Sequence, residues 1–166
     1  MKGNLKQALE NANMVYTQLA EIADGIVKNS TSEIDEILRT ADRVKDLTDS
    51  QMRNLIVLLS MKSYNFSEAK DHAALRLECA ESLRKEAHAK VLLSTEGTAG
   101  VRENTAIQET ADEIMVAAIY QMVTSMLKTK LDEVHRIVDA LKSALMSRMQ
   151  EAKFAAMSNN RAAYED

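Results

Sequence analysis

The fold of this chain is decided by residues 101–158, which read VRENTAIQETADEIMVAAIYQMVTSMLKTKLDEVHRIVDALKSALMSRMQEAKFAAMS. The stretch contains no Gly and no Pro, and an apolar residue returns every three or four positions. This spacing predicts one face of a long α-helix, close to a heptad seam. At 1.5 Å per residue the helix would be roughly 85 Å long, more than a compact domain of this size is wide. Something else must therefore lie along its apolar face.

The composition of the rest of the chain favours helices throughout. Pro is absent and only four glycines occur in 166 residues, whereas sheet proteins need turn residues at regular intervals. Apolar residues make up 46% and charged residues 28%, which is typical of a globular chain. We therefore predict an all-α fold: an elongated antiparallel helical bundle or hairpin, with a very long C-terminal helix and coiled-coil-like packing.

Four shorter helices are predicted before the long one. The Thr48–Gln51 pair has the spacing of a capping box, and Gly97 and Gly100 mark a turn between long helices. The predicted helices cover residues 4–28, 33–47, 48–62 and about 65–95. Because the apolar stripe continues in near register from the first helix onward, the first three segments are alternatively one bent rod.

We expect a single helical domain over residues 1–166. Its parts are N-terminal helices at 1–64, a helical hairpin at 65–130, and the extended half of the C-terminal helix at 131–158. The fourth helix is about half as long as the fifth, so the extended half needs another cover. Either the first helix or a second copy of the chain could provide it. The oligomer or partner interface is predicted at Leu131, Val134, Val138, Leu141, Leu145, Met149 and Ala152.

The charge balance argues against a general binder of polyanions. Net charge is −4 overall, but residues 128–161 carry seven Lys and Arg against four Asp and Glu, a balance of +3. Nucleic-acid binding is thus an alternative, and the candidate contacts are Lys128, Lys130, Arg136, Lys142, Arg148 and Lys153. A helix-turn-helix over residues 33–62 is also conceivable, although its second helix is apolar enough to be core.

No catalytic, metal or cofactor site is predicted. Glu68 with His72 and Asp132 with His135 could each share a helix face, but no Glu-x-x-His occurs and no ligand pair recurs on several helices. The single cysteine, Cys79, falls on a stripe with Leu75 and Leu83, so we expect it to be a small buried hydrophobe. We expect no enzyme, no cofactor and no small-molecule substrate.

The start of the chain leads into an amphipathic segment, which does not predict a signal peptide. No window reaches the eighteen or more apolar residues that a membrane span needs. With one cysteine, a reducing compartment is favoured. The sequence thus predicts a cytoplasmic protein without a membrane partner.

Part of the chain resembles small all-helical accessory proteins of tailed phages and prophages, over about residues 65–150. The residues that carry the resemblance are Ser67-Glu68-Ala69-Lys70 through Ala80, then Ala87, Ala89-Lys90, Glu96-Gly97-Thr98 and Val101-Arg102-Glu103. The resemblance implies an accessory role near recombination or single-strand-binding functions, without catalytic residues. We therefore expect a non-enzymatic, self-associating protein that binds a replication, recombination or anti-host complex. An inhibitor of a host enzyme or defence complex is the other alternative.

Overall fold

The computed structural model describes the backbone of residues 2–41 and 44–162, and within them the side chains of residues 7, 10–41 and 45–157. Over these residues the chain forms four α-helices and one 3-10 turn, and no strand. The helices are α1 (Lys2–Ala41), α2 (Asp49–Ser94), α3 (Ala99–Glu109) and α4 (Ala111–Ala162), with the 3-10 turn at Val44–Asp46 between α1 and α2. The all-α prediction is confirmed, and the helices pack against one another.

Two of the predicted breaks between the short helices are wrong, because the helix continues through them. α1 continues through Asn29–Ser32, and α2 continues through Asn65–Ser67. Polar residues of this kind lower helix propensity by only about 0.5 kcal/mol each, which tertiary packing readily overrides. In α1 a line of buried side chains, Val27, Thr31 and Ile34, continues through the predicted break at residues 29–32. The side chains of residues 1–6, 8 and 9, at the start of the chain and in the predicted first helix, lie outside the described residues.

Two of the predicted turns and caps are present as expected. The Thr48 amide donates to Gln51 Oε1 over 2.8 Å and the Gln51 amide donates to Thr48 Oγ1 over 3.3 Å, which is the reciprocal pair of a capping box. Gly97 adopts φ +122°, which only glycine adopts without strain, and it lies in the turn between α2 and α3. The second predicted turn glycine, Gly100, lies instead in the first turn of α3. The loop at 95–98 is therefore a helix-to-helix turn.

The predicted long helix from residue 101 to 158 is interrupted once, at Thr110. This side chain is buried, and its hydroxyl donates to the Ala106 carbonyl over 2.7 Å. The backbone N–H of Thr110 donates to the same carbonyl over 3.0 Å. The backbone of Thr110 lies outside the α-helical region, with φ −106° and ψ 21°, and the helix divides here into α3 and α4. The C-terminal helix α4 still has 52 residues.

The chain divides into two compact units. The first unit comprises residues 1–31 and 66–129, and the second comprises residues 32–65 and 130–166. The core of the first unit is rich in small side chains, which let helices approach closely. Its buried apolar residues are Ala23, Val27, Phe66, Ala73, Ala80, Ala106, Ala117, Val123 and Leu127.

The core of the second unit is formed by three helix segments. Each segment supplies three buried side chains: Ile34, Leu38 and Ala41 from α1, Met52, Leu55 and Leu59 from α2, and Val134, Val138 and Leu141 from α4. Two ion pairs connect these segments, Lys62 with Glu33 and Lys130 with Asp35. As far as Leu141, the extended half of the C-terminal helix is therefore packed on α1 and α2 of its own chain.

Candidate interaction surfaces

The predicted interface on α4 consists of a covered part and an exposed part. Val134, Val138 and Leu141 are buried in the core of the second unit, and Leu131 and Leu145 are half-buried. The sequence predicted that another helix must pack on this face of α4. For the three buried residues, that role is filled by α1 and α2 of the same chain. Further along the helix, Met149 is 44% exposed and Ala152 is also exposed.

Arg148 is the last described residue of α4 whose side chain is not exposed. Its guanidinium donates to the Leu47 carbonyl over 2.6 Å, to the Lys45 carbonyl over 3.3 Å and to Asp49 Oδ1 over 3.3 Å. Lys45 and Leu47 belong to the connection between α1 and α2, and Asp49 is the first residue of α2, so Arg148 lies beside this connection. The α4 helix then continues from residue 149 to Ala162, which is 14 residues or about 21 Å.

Every described side chain after Arg148, from residue 149 to 157, is exposed. We call these nine residues the α4 end. Besides Met149 it presents Phe154 and Met157, which are 73% and 69% exposed. The interface predicted from the sequence ends at Ala152, so it includes neither of these two large side chains. Helix length is the signal that could have identified Phe154 and Met157. The predicted C-terminal helix is longer than the helices that could cover it, so its last residues should lie beyond their ends.

The basic residues predicted to contact nucleic acid do not form one surface. Lys130 Nζ lies 2.7 Å from a carboxylate oxygen of Asp35 and 2.7 Å from one of Glu133. Arg148 is held by the α1–α2 connection, and Arg136 Nε donates to the Asp132 carbonyl over 3.3 Å. These cations therefore serve contacts within the chain.

The other three basic residues share one side of α4. At 100° per residue, Lys128, Lys142 and Lys153 lie within about 40° of one another. All three are exposed, and Lys142 Nζ is 3.8 Å from Asp139 Oδ1 in a long, exposed ion pair. They are spread over 25 positions, from 128 to 153, so positive charge on this side is sparse.

The ion pair with Asp35 and Glu133 changes the acidity of Lys130. Burial of the ammonium lowers its pKa, but hydrogen bonds to the two carboxylates raise it more, and the net pKa is above the ordinary lysine value. Lys130 is thus held in its charged form between α1 and α4.

The expectation that Cys79 is buried is wrong. Cys79 is exposed, and its stripe neighbours Leu75 and Leu83 are 57% and 61% exposed. The core face of α2 is set instead by Ala73 and Ala80, which are buried and lie well round the helix from the stripe. This helix carries two apolar stripes at helical spacing, one through Ala73 and Ala80 and one through Cys79. Periodicity alone does not identify which of the two faces inward.

The histidines lie in ordinary ion-pair settings where the structure gives them partners. His88 Nε2 lies 3.3 Å from Glu103 Oε1 and connects α2 to α3, which supports the predicted antiparallel hairpin. His72 lies 3.7 Å from Glu68 one turn earlier on α2. Among the described residues, no group of three or more His, Cys, Asp or Glu side chains could hold a metal ion.

A cleft of about 350 Å³ lies between α2 and the α3–α4 junction, and no sequence motif indicates it. Its walls include Arg84, Lys85 and the paired His88, above an apolar floor of Ile107 and Ile114. The only hydroxyl among its lining residues is that of Thr110, which already donates to a backbone carbonyl.

No helix within residues 2–41 and 44–162 is long and apolar enough to cross a membrane. Comparison with known proteins gives no further assignment: no protein-family model, curated protein or solved structure matches the chain. The resemblance to phage accessory proteins stays a prediction.

Proposed function

We propose that this chain is a non-enzymatic helical protein that acts by binding other proteins, including copies of itself. The α4 end is its partner-binding surface. In this proposal the two compact units are the scaffold, and the protein is an accessory component of a larger assembly. A phage replication, recombination or anti-host complex is the context that the sequence resemblance suggests.

The observation that carries the proposal is the exposure of the α4 end beyond Arg148. Its three large apolar side chains, Met149, Phe154 and Met157, have no cover from the described part of the chain. Full burial of a side chain of this kind is worth about 1.5–3 kcal/mol. Exposed aromatic and Met side chains on one helix are typical anchors for a groove or a second helix on a partner.

Photo-crosslinking tests this surface even while the partner is unidentified. Met149 and Ala155 are both exposed, and Ala155 lies at least about 100° round the helix from each of Met149, Phe154 and Met157. Ala155 is therefore a control position on the side of the α4 end that faces away from the three large apolar side chains. Met149 and Ala155 are each replaced in turn by p-benzoylphenylalanine, and the protein is irradiated in its native cell. We expect covalent adducts from position 149 and at least tenfold fewer from position 155.

The mass of the adduct identifies the partner. A second copy would give about 37 kDa, twice the 18.5 kDa of one chain, and any other mass indicates a different protein. Both results support the proposal. Absence of adducts at position 149, or equal yields at the two positions, would overturn it.

Nucleic-acid binding is the second candidate, and the observation that favours it is the common side of Lys128, Lys142 and Lys153. Each phosphate contact releases counterions, so affinity should be greatest at low salt. Three dispersed cations predict weak binding without sequence preference. Protein binding through the α4 end rests on a denser group of exposed side chains, and we therefore favour it.

A further inference from the structure

A second exposed stripe runs along α2, within the first unit. Its seven residues recur at steps of 4, 3, 4, 4, 3 and 4, so all lie within about 40° of Cys79 round the helix. We call this set the α2 stripe: Glu68, His72, Leu75, Cys79, Leu83, Glu86 and Lys90. All seven side chains are exposed. The stripe therefore has the spacing of a coiled-coil seam but no cover from the described part of its own chain.

The α2 stripe is symmetric about Cys79. Leu75 and Leu83 lie four positions on either side of it, and Glu68 and Lys90 lie eleven positions on either side. An antiparallel copy centred on the same residue would place Leu75 opposite Leu83 and the Glu68 carboxylate opposite the Lys90 ammonium. His72 would lie opposite Glu86, whose carboxylate can accept a hydrogen bond from the imidazole.

A parallel copy would have the opposite electrostatic result. It would place Glu68 against Glu68, Glu86 against Glu86 and Lys90 against Lys90. Like charges that face each other across a helix pair are destabilising, so the charge pattern selects the antiparallel arrangement.

We propose that the α2 stripe is a contact between two copies of this chain, packed antiparallel with Cys79 at the two-fold axis. The contact is isologous, as in most homodimers. It deepens the self-association included in the proposed function, on which it rests, and uses a surface other than the α4 end.

The charged residues of the α2 stripe can form such a contact with little loss of stability in the single chain. In the single chain Glu68 pairs with His72 at 3.7 Å and Glu86 pairs with Lys90 at 2.7 Å, both along the same helix. Exposed pairs of this type contribute little to stability, so exchange for a partner across the interface is inexpensive.

The apolar part of the stripe is small and sets the strength of the contact. Two leucines and one cysteine per copy bury less than the roughly 800 Å² per partner that a standard interface uses. We therefore expect a reversible dimer with a dissociation constant on the order of 1–100 µM.

Cys79 itself reports the geometry, because it is the only cysteine in the chain. At a two-fold axis the two sulfurs meet, and a disulfide forms when the Cα atoms are about 4.4–6.8 Å apart. We expect mild oxidation with copper phenanthroline to give a dimer on a non-reducing gel, at a rate that rises with protein concentration. The matched control is C79S/E78C, in which the exposed thiol is moved by one residue and about 100° round the helix. Its cross-linking should be at least about tenfold slower.

A charge-swap cycle tests the direction of packing. Glu68→Lys and Lys90→Glu should each raise the dimer dissociation constant about three- to tenfold, measured by sedimentation equilibrium. The double variant should return it to within about twofold of the wild type, since the antiparallel pair is restored with its signs exchanged.

Two results would overturn this inference: cross-linking of Cys79 no faster than that of the control, or a double charge variant as weak as the single ones. Its failure is distinguishable from that of the α4 end. Met149→Glu should leave the Cys79 cross-linking rate unchanged, and the photo-crosslinking result at position 149 does not depend on the α2 stripe.

Discussion

Leu141 offers the sharpest test of how the C-terminal helix is covered. Its side chain is 0% exposed, in the core that α4 forms with α1 and α2 of the second unit. Leu141→Ala removes three carbon atoms and leaves a cavity, which in well-packed cores lowers the free energy of unfolding by about 2–5 kcal/mol. We take about 3 kcal/mol as the expected loss, near the middle of that range.

The assay is urea unfolding followed by circular dichroism. With a slope of about 2 kcal/mol per molar urea, a loss of about 3 kcal/mol lowers the transition midpoint by about 1.5 M. Because the same chain covers Leu141, the difference from the wild type should be the same at protein concentrations that differ about 100-fold. A side chain covered by a second copy would instead give a difference that depends on concentration.

The control is Met146→Ala on the same helix, where the side chain is 62% exposed. We expect a change below about 0.5 kcal/mol, as for most surface substitutions. The reasoning is refuted if Leu141→Ala loses less than about 1 kcal/mol, or if its effect changes with protein concentration.

Three further predictions concern the charged residues of the second unit and of α4. Arg148→Met should lower the free energy of unfolding by about 1–2 kcal/mol, because it removes partly exposed, charge-assisted hydrogen bonds to the α1–α2 connection. An unchanged thermal unfolding temperature would contradict this. The raised pKa of Lys130 means that its contribution to stability is complete below the unfolded value of about 10.4 and is lost as pH rises through the higher folded value. The stability of the wild type should therefore fall toward that of Lys130→Met above about pH 10.4, and a constant difference up to about pH 12 would be inconsistent with the ion pair. At low salt, any binding of single- or double-stranded oligonucleotides should be weakened more by Lys153→Ala than by Lys130→Met, because Lys130 is already paired with Asp35 and Glu133. The reverse order would contradict the conclusion that Lys130 serves contacts within the chain.

The fold class could be predicted from the sequence because its determinants are local. The absence of Pro, the scarcity of Gly and the heptad spacing all favour helices, and the capping box at Thr48 and the turn at Gly97 are signals carried by a few adjacent residues. The break at Thr110 was not predicted, since threonine occurs in helix interiors and its bond to the Ala106 carbonyl depends on the surrounding packing. The continuity of α1 through Thr31 was likewise decided by burial and not by propensity.

The covering of α4 could be predicted only in part. The stripe from Leu131 to Leu145 is recognisable from its spacing, but spacing does not say which helix covers it. The structure assigns that role to α1 and α2, and it limits the uncovered part to residues beyond Arg148. Similarly, Cys79 and Ala80 both belong to acceptable helical stripes, and only the packed arrangement distinguishes the exposed one from the buried one.

Hydrogen–deuterium exchange along α4 tests most directly the claim that the chain covers this helix as far as Arg148 and leaves the α4 end for a partner. At a concentration where the protein is monomeric, we expect amides at 134–145 to be protected close to the global stability, and amides at 149–157 to exchange at least about 100-fold faster. Uniform protection from residue 134 to residue 157 in the monomer would contradict the account, because it would mean that the α4 end is already covered by its own chain.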